Sequence, residues 1–377
     1  MEHKSIAVMG GFPLASGNLG YYFAKYLTKI GLDATLIIKE THLHEWRGLN
    51  PEEDPYTNKI IKVIPYKKSE NKIARQLREI FEIRKYDFVI SIGGAGMWYL
   101  PFLKKPYIAY ATGADLVELA GGQGYSGYQV KQAQRFFKKA KLVFYGPENV
   151  AIEAIKKLGL KKTIPWRQII DIEFCSTENN NYEKDKTLKI FNPSSQHWIP
   201  KFPGQRLKSN DIFFKGFSLF LDNGGDGIAY YVKRGQNFKE TEKLLFELKI
   251  TDKVIALEPE EDPFERKKRV EKMDIVADQF GEGIYGLIAL EAMSLGKPVL
   301  TFFSKEAAKI TFSEDEDLPP FLNCSTPEEI ASHLKKMQVM ENRLKKSIES
   351  RKWIEKYHDP IILIKWYWKN IEKCLET

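Results

Sequence analysis

Residues 275–303 read IVADQFGEGIYGLIALEAMSLGKPVLTFF, and the pattern changes three times within them. Ile275–Ala277 is a short apolar run with β-branched residues. Gly281, Gly283 and Gly286 make a flexible loop after it, and a helical pattern over Leu287–Leu295 follows. Gly296, Lys297 and Pro298 end the helix before a second apolar run, Val299–Phe303. Strand, loop, helix and strand in roughly thirty residues form a βαβ unit, whose two strands must run parallel.

The same alternation extends in both directions. Toward the C-terminal half, strands are predicted at Leu188–Asn192, Ala229–Val232 and Val254–Leu257, and helices at Ile212–Leu221, Lys239–Leu248 and Phe264–Met273. Toward the N-terminus, strands are predicted at Ser5–Met9, Ala34–Ile38, Phe88–Ile92, Tyr107–Ala111 and Leu142–Tyr145. Helices alternate with them at Asn18–Ile30, Asn71–Ile83, Gln129–Lys139 and Asn149–Leu158. The polar stretch Thr177–Lys186 (TENNNYEKDK) interrupts the alternation and reads as a linker. The tail is helical in pattern over Pro327–Met337, Glu341–Lys356 and Pro360–Lys373. The expectation is an α/β chain of two successive doubly wound halves, with ligands at the carboxyl ends of the strands.

Composition narrows the class. The 377 residues are 43% hydrophobic and 29% charged, as in globular proteins, which argues against disorder over most of the chain. No apolar run approaches the ~18 residues of a membrane span, and Met1–Lys4 leads straight into a strand rather than a signal peptide. Cys175, Cys324 and Cys374 are too scattered for a disulfide framework or zinc site, which fits a reducing cytoplasm. His42 and His44 share a side of a strand but have no third ligand nearby, so no metal site is assigned. With 58 Lys and Arg against 50 Asp and Glu, the net charge is +8. That charge suits an anionic partner. No nucleic-acid motif accompanies it, and a phosphorylated small molecule or a membrane surface remains. Phe136–Lys139 and Lys104–Lys105 are candidates for basic, aromatic peripheral membrane contact.

The loop 281–286 opening into a helix presents unpaired backbone N–H groups and the positive end of a helix dipole, an arrangement suited to a diphosphate. Glu291, one to two turns into that helix, is placed to accept hydrogen bonds from ribose hydroxyls. The glycines of the N-terminal loop, Gly10-Gly11 and Gly17…Gly20, do not have the G-x-G-x-x-G spacing of a dinucleotide fold, which sets aside a nicotinamide-linked oxidoreductase.

Tyr285-Gly286, Ala289-Leu290-Glu291-Ala292-Met293 and Gly296-Lys297-Pro298-Val299 together resemble the donor-site signature, E-x7-E, of the retaining GT-B glycosyltransferases of family 4. The resemblance covers most of the chain and is strongest between residues 188 and 300. It implies two Rossmann-like domains facing across a cleft: residues 1–170 on the acceptor side, 185–355 on the nucleotide-sugar side, and a helix 356–377 crossing back to the first. It implies that Glu291 binds the ribose and that the amides of Ile284, Tyr285 and Gly286 face the donor phosphates. Gly283 stands where the family has its first glutamate, and Glu282 is one residue early. Either Glu282 serves the transferred sugar, or backbone and Asp278 or Gln279 do.

The resemblance also matches Lys208 to the lysine that neutralises the diphosphate, with Ser209 in a glycine's place and Arg206 nearest to the partner arginine. Lys215-Gly216 is a rival. Gly11 and Gly17 belong to the loop that lies over the phosphate in the family. Thr112-Gly113-Ala114-Asp115 is similar to its His-Gly-Ser-Asp loop, leaving Asp115 either to orient a sugar or acceptor hydroxyl or to cap a helix. His358, in the segment that crosses back, reads as structural. The implied activity is transfer of a sugar from a UDP- or GDP-linked donor to a glycan, lipid-linked or protein acceptor, with retention, without a metal, and with no cofactor beyond the donor itself. The alternative is a non-catalytic sugar-nucleotide-binding or partner subunit of the same fold.

Overall fold

A computed structural model of the chain describes residues 4–10, 19–41, 57–65, 70–122, 125–175, 187–201, 205–259 and 262–376. They form two compact units, Met1–Ile169 with Asp359–Thr377, and Ile170–His358.

The first unit holds seven strands: β1 (Ser5–Met9), β2 (Asp33–Lys39), β3 (Ile61–Ile64), β4 (Phe88–Ile92), β5 (Tyr107–Tyr110), β6 (Leu142–Tyr145) and β7 (Thr163–Pro165). All pair in parallel in the order β3-β2-β1-β4-β5-β6-β7, so the order reverses between β1 and β4. All five residues of β4 are buried, as expected where helices cover both faces. The helices are α1 (Leu19–Lys29), α2 (Lys72–Ile83), α3 (Gly127–Lys139) and α4 (Asn149–Leu158). Local chemistry sets their ends. Ser126 and Gln129 form a capping box at the start of α3, and Gly159, at φ 66°, closes α4 in the left-handed region.

The second unit repeats the plan with β8 (Leu188–Asn192), β9 (Gly227–Val232), β10 (Val254–Leu257), β11 (Ile275–Ala277), β12 (Val299–Thr301) and β13 (Leu322–Asn323). The order β10-β9-β8-β11-β12-β13 is again parallel and reverses between β8 and β11. Helices α5 (Asn210–Asp222), α6 (Phe238–Glu247), α7 (Pro263–Glu271), α8 (Leu287–Ser294), α9 (Lys305–Thr311), α10 (Pro327–Met337) and α11 (Met340–Tyr357) surround it. Phe213, Phe214 and Phe217 of α5 are fully buried, with Phe213 stacked at 6.4 Å on Phe280, the third residue after β11.

The last helix, α12 (Pro360–Glu376), belongs to the first unit. Tyr367 is its anchor. The ring is fully buried at 4.8 Å from both Phe23 of α1 and Phe144 of β6. Its hydroxyl donates to the Arg167 carbonyl at 2.5 Å and accepts from the Arg167 N–H at 3.0 Å. A buried aromatic contributes roughly 1.5–3 kcal/mol by area, and each favourable ring pair about 0.5–1.5 more.

The sequence pattern omitted β3, β7, β13 and α9. Three of these are two to four residues long, too short to show a period, and α9 spans only seven. The expected aromatic membrane surface at Phe136-Phe137 is corrected: both rings are 1% exposed and belong to the core beneath α3. The polar stretch Thr177–Lys186 and the pair His42 and His44 lie outside the described residues.

Candidate active site

In the second unit the strand order reverses between β8 and β11, so the loops leaving their carboxyl ends must diverge and leave room between them. Those two loops carry buried polar side chains, Ser194 and Gln196 on one and Asp278 and Gln279 on the other. Asn192, at the end of β8, is fully buried. Its Nδ2 donates to the Ala277 carbonyl at 2.8 Å, and its Oδ1 accepts from Gln196 Nε2 at 3.1 Å and Asn210 Nδ2 at 2.9 Å. Asn210 returns the bond to the first loop by accepting from the His197 N–H at 3.1 Å. The network holds each amide on more than one side, so the loops form a fixed platform.

Lys208 lies at the centre of this platform. Its own N–H and that of Ser209 donate to the His197 carbonyl at 2.7 and 3.0 Å. Its carbonyl accepts from the Phe280 N–H at 2.8 Å, tying it to the loop after β11. The ammonium group donates to Gln279 Oε1. Ser209 adopts φ 52°, the left-handed conformation that favours glycine, at the position where the resemblance set a serine for a glycine. The rival Lys215 lies inside α5, where it pairs with Asp211 one turn earlier at 2.8 Å.

The loop after β11 is equally determined. Gly281 packs so close on the other loop that a Cβ would stand 2.5 Å from the Leu207 carbonyl oxygen. Gly283 has φ +69°, and a Cβ there would stand 2.9 Å from Ser304 Cβ. A glutamate at 283 would therefore need both a strained backbone and a displaced neighbour, so this loop conformation suits a glycine there. Glu282 points to the side: its Oε2 accepts from Arg206 Nε at 2.6 Å, and its side chain is 7% exposed.

Asp278 is fully buried. Its Oδ1 accepts from Ser194 Oγ at 3.1 Å and its Oδ2 from the Gly286 N–H at 2.5 Å. Burial pushes its carboxyl upward, against the pull of Lys208 and these hydrogen bonds. The Gly286 amide, at the start of α8 and expected to face the donor phosphates, donates to Asp278 in this structure. Ile284 and Tyr285 are buried side chains; the Ile284 carbonyl accepts from Gln279 Nε2 at 2.5 Å, and Tyr285 packs edge-on against Phe303 at 5.3 Å. His358 is fully buried against Trp353 and Tyr285, in keeping with a structural role.

Glu291 lies on α8 with its side chain 18% exposed, and its Oε1 accepts from Arg266 Nη2 at 3.4 Å. The sequence reading did not single out the basic groups around it. Arg234, just past β9, donates to the Pro193 carbonyl at 3.1 Å and is pushed down first by burial and then by Arg266. His197 is pushed below its ordinary value by burial and by the charges of Lys208, Lys201 and Arg234. Lys208, Arg234 and Arg266 thus concentrate positive charge in the segments that follow β8, β9 and β10, bordered by Glu291. The available signal was positional: Lys233-Arg234-Gly235 follows a strand as Asp278 does.

Asp115 belongs to the first unit, just past β5, in the turn Asp115–Leu119. Its Oδ1 accepts from the N–H groups of Thr112 and Gly113 at 3.0 and 3.1 Å. Among the described residues its Oδ2 has no hydrogen-bond partner. Burial raises its pKa to about 6 against the stabilising N–H groups. The second unit therefore brings together Arg206, Lys208, Glu282, Gly283, Ile284, Tyr285, Gly286 and Glu291. Gly11 and Gly17 lie outside the described residues.

No protein-family model matches the chain, and comparison with curated proteins finds no match. Solved structures do match along its whole length. The Anabaena protein HepE in complex with UDP aligns at a TM-score of 0.65 and 13% identity, covering 98% of this chain and 100% of that one. A glycosyltransferase from Rickettsia africae aligns at 0.66 and 13%, covering 100% of both chains. Sucrose-phosphate synthase from Thermosynechococcus elongatus aligns at 0.64 and 13%, covering 99% of each. Two parallel-sheet α/β units and these neighbours give the chain the GT-B fold.

Proposed function

We propose that the chain is a glycosyltransferase that takes a sugar from a nucleoside-diphosphate sugar and passes it to a glycan, lipid-linked or protein acceptor with retention, in the manner of family 4. The observation that carries the reading is the cluster of Lys208, Arg234 and Arg266 on a rigid polar platform at the strand-order reversal, with Glu291 on the adjoining helix. Breaking the bond between sugar and diphosphate leaves negative charge on the leaving group, and preorganised cations stabilise that charge most when water is scarce. Lys208 supplies a mobile point charge for phosphate oxygens. Glu291 supplies a carboxylate for ribose hydroxyls, and the buried Asp278 fixes the loop that joins them. UDP in HepE is consistent with a uridine donor.

A panel of UDP- and GDP-sugars, assayed for hydrolysis and transfer, tests the reading. Release of nucleoside diphosphate by the wild type and its loss in Lys208→Ala is the expected result. Nucleotide binding without turnover on every donor and acceptor would instead support the non-catalytic subunit, which the engagement of Glu282 by Arg206 favours.

Peripheral membrane contact is part of the same reading, placed on α2 rather than α3. Ile73, Leu77 and Phe81 follow one face of α2 at 68%, 48% and 63% exposure, with Arg75, Arg78 and Arg84 close by in sequence. An exposed apolar stripe beside arginines suits an anionic lipid surface. No described helix is long and apolar enough to cross a membrane. Sedimentation with anionic vesicles should be lost in Leu77→Ser/Phe81→Ser; retention would exclude α2 as the contact.

A further inference from the structure

The first unit has a second concentration of charge, at the amino ends of its strands. Lys4 precedes β1, Lys104 and Lys105 precede β5, and Lys139 and Lys141 flank the entry to β6. These strands are near neighbours in the sheet, so five lysines separated by up to 137 positions in sequence line one cavity of about 440 Å³. Among the described residues the single carboxylate in its lining is Asp87, whose Oδ2 accepts from the Ser5 N–H at 2.7 Å and the Ser5 hydroxyl at 3.0 Å. Leu375 supplies apolar surface, while Phe88 is buried behind the lining with its ring stacked on Trp368.

Two of the lysines are already held in place. Lys105 Nζ donates to the Arg84 carbonyl at 3.2 Å and Lys139 Nζ to the Pro101 carbonyl at 2.7 Å. Each ammonium group keeps further N–H donors, and less side-chain entropy is left to lose on binding. Asp87 keeps its charge and attracts Lys4 and Lys105, so one carboxylate stands against five cations, and an anion relieves the remaining excess of positive charge. Among the described residues no arginine lines the cavity, so the recognition is of point charges rather than of the planar fork that suits a carboxylate. The volume falls in the range of small-molecule sites, about 300–1,000 Å³. None of these residues belongs to the loops that leave the carboxyl ends of the strands.

We propose that this cavity is a binding site for a phosphate-bearing anion, distinct from the nucleotide-sugar site of the other unit. Phosphoryl oxygens meet the lysines, and an organic portion rests on Leu375. A free metabolite and a lipid headgroup both carry such a phosphate, and the two sources are separable by experiment.

Titration calorimetry on the full chain at about 50 mM salt, where screening is weak, uses two probes: tripolyphosphate for a free phosphate, and dihexanoyl phosphatidic acid below its micelle concentration for a headgroup. The variant Lys104→Glu/Lys141→Glu should weaken binding of the preferred probe by about tenfold or more. Lys104→Gln/Lys141→Gln, with an unchanged melting temperature, should weaken it less and rule out misfolding as the cause. Lys208→Ala, in the other unit, should leave this binding intact. Loss with tripolyphosphate identifies a free phosphate as the source, and loss confined to phosphatidic acid identifies a headgroup. Isotherms unaltered by both lysine pairs, or binding abolished by Lys208→Ala alone, would overturn the proposal.

Discussion

Asp115→Asn is a nearly isosteric change with a large, pH-dependent consequence. Burial raises the Asp115 carboxyl from 3.8 to about 6 in the folded chain. A carboxyl with a raised folded-state pKa favours the folded state only while protonated. Its contribution is fully present below the unfolded value and is lost as pH rises through about 6. A shift of about two units corresponds to about 3 kcal/mol of stability lost between pH 4 and pH 7. Asparagine keeps the Oδ1 acceptor for the Thr112 and Gly113 N–H groups and carries no charge to bury. Near pH 4 the variant and the wild type should therefore unfold alike. Above pH 7 the variant should be the more stable by about 3 kcal/mol, or about 6–12 °C in the transition that melts the first unit. Thermal unfolding of both proteins at half-unit pH steps, followed by hydrogen exchange of the β5 amides, measures the difference. Parallel curves at every pH would refute the claim that burial governs this carboxyl.

Three further outcomes are expected. Glu291→Ala should weaken nucleoside diphosphate binding by about 1.5–3 kcal/mol, since ribose hydroxyls lose a charged acceptor; unchanged affinity by calorimetry would put the ribose elsewhere. Gly283→Ala should cost about 1–2 kcal/mol in chemical denaturation from the left-handed backbone alone, with Ser304 adding to it; a neutral result would mean the loop relaxes freely. The His197 ring should titrate below its ordinary 6.5 by NMR, and its midpoint should rise in Lys208→Ala as a repelling charge is removed; a fixed midpoint would remove Lys208 from the causes.

The parallel α/β plan, the division into two halves and the glycine loop after β11 were all legible in the sequence. They rest on interactions between near neighbours: apolar period, caps such as Ser126 with Gln129, and glycines where a chain must turn. The same local signal marked Glu291, on the helix that the glycine loop opens, whereas Lys208 was marked only by the family resemblance. It could not assign Glu282, whose partner Arg206 is 76 residues away, or foresee that Asp278 would take the Gly286 amide. Phe136-Phe137 read as surface because two aromatics beside two lysines look alike whether the helix turns them inward or outward. Arg234 and His197 joined the site, and five distant lysines came to line one cavity, only when the strands took their places in the sheet. Burial and charge proximity depend on distances in space, and for residues far apart along the chain those distances are set by strand order and packing.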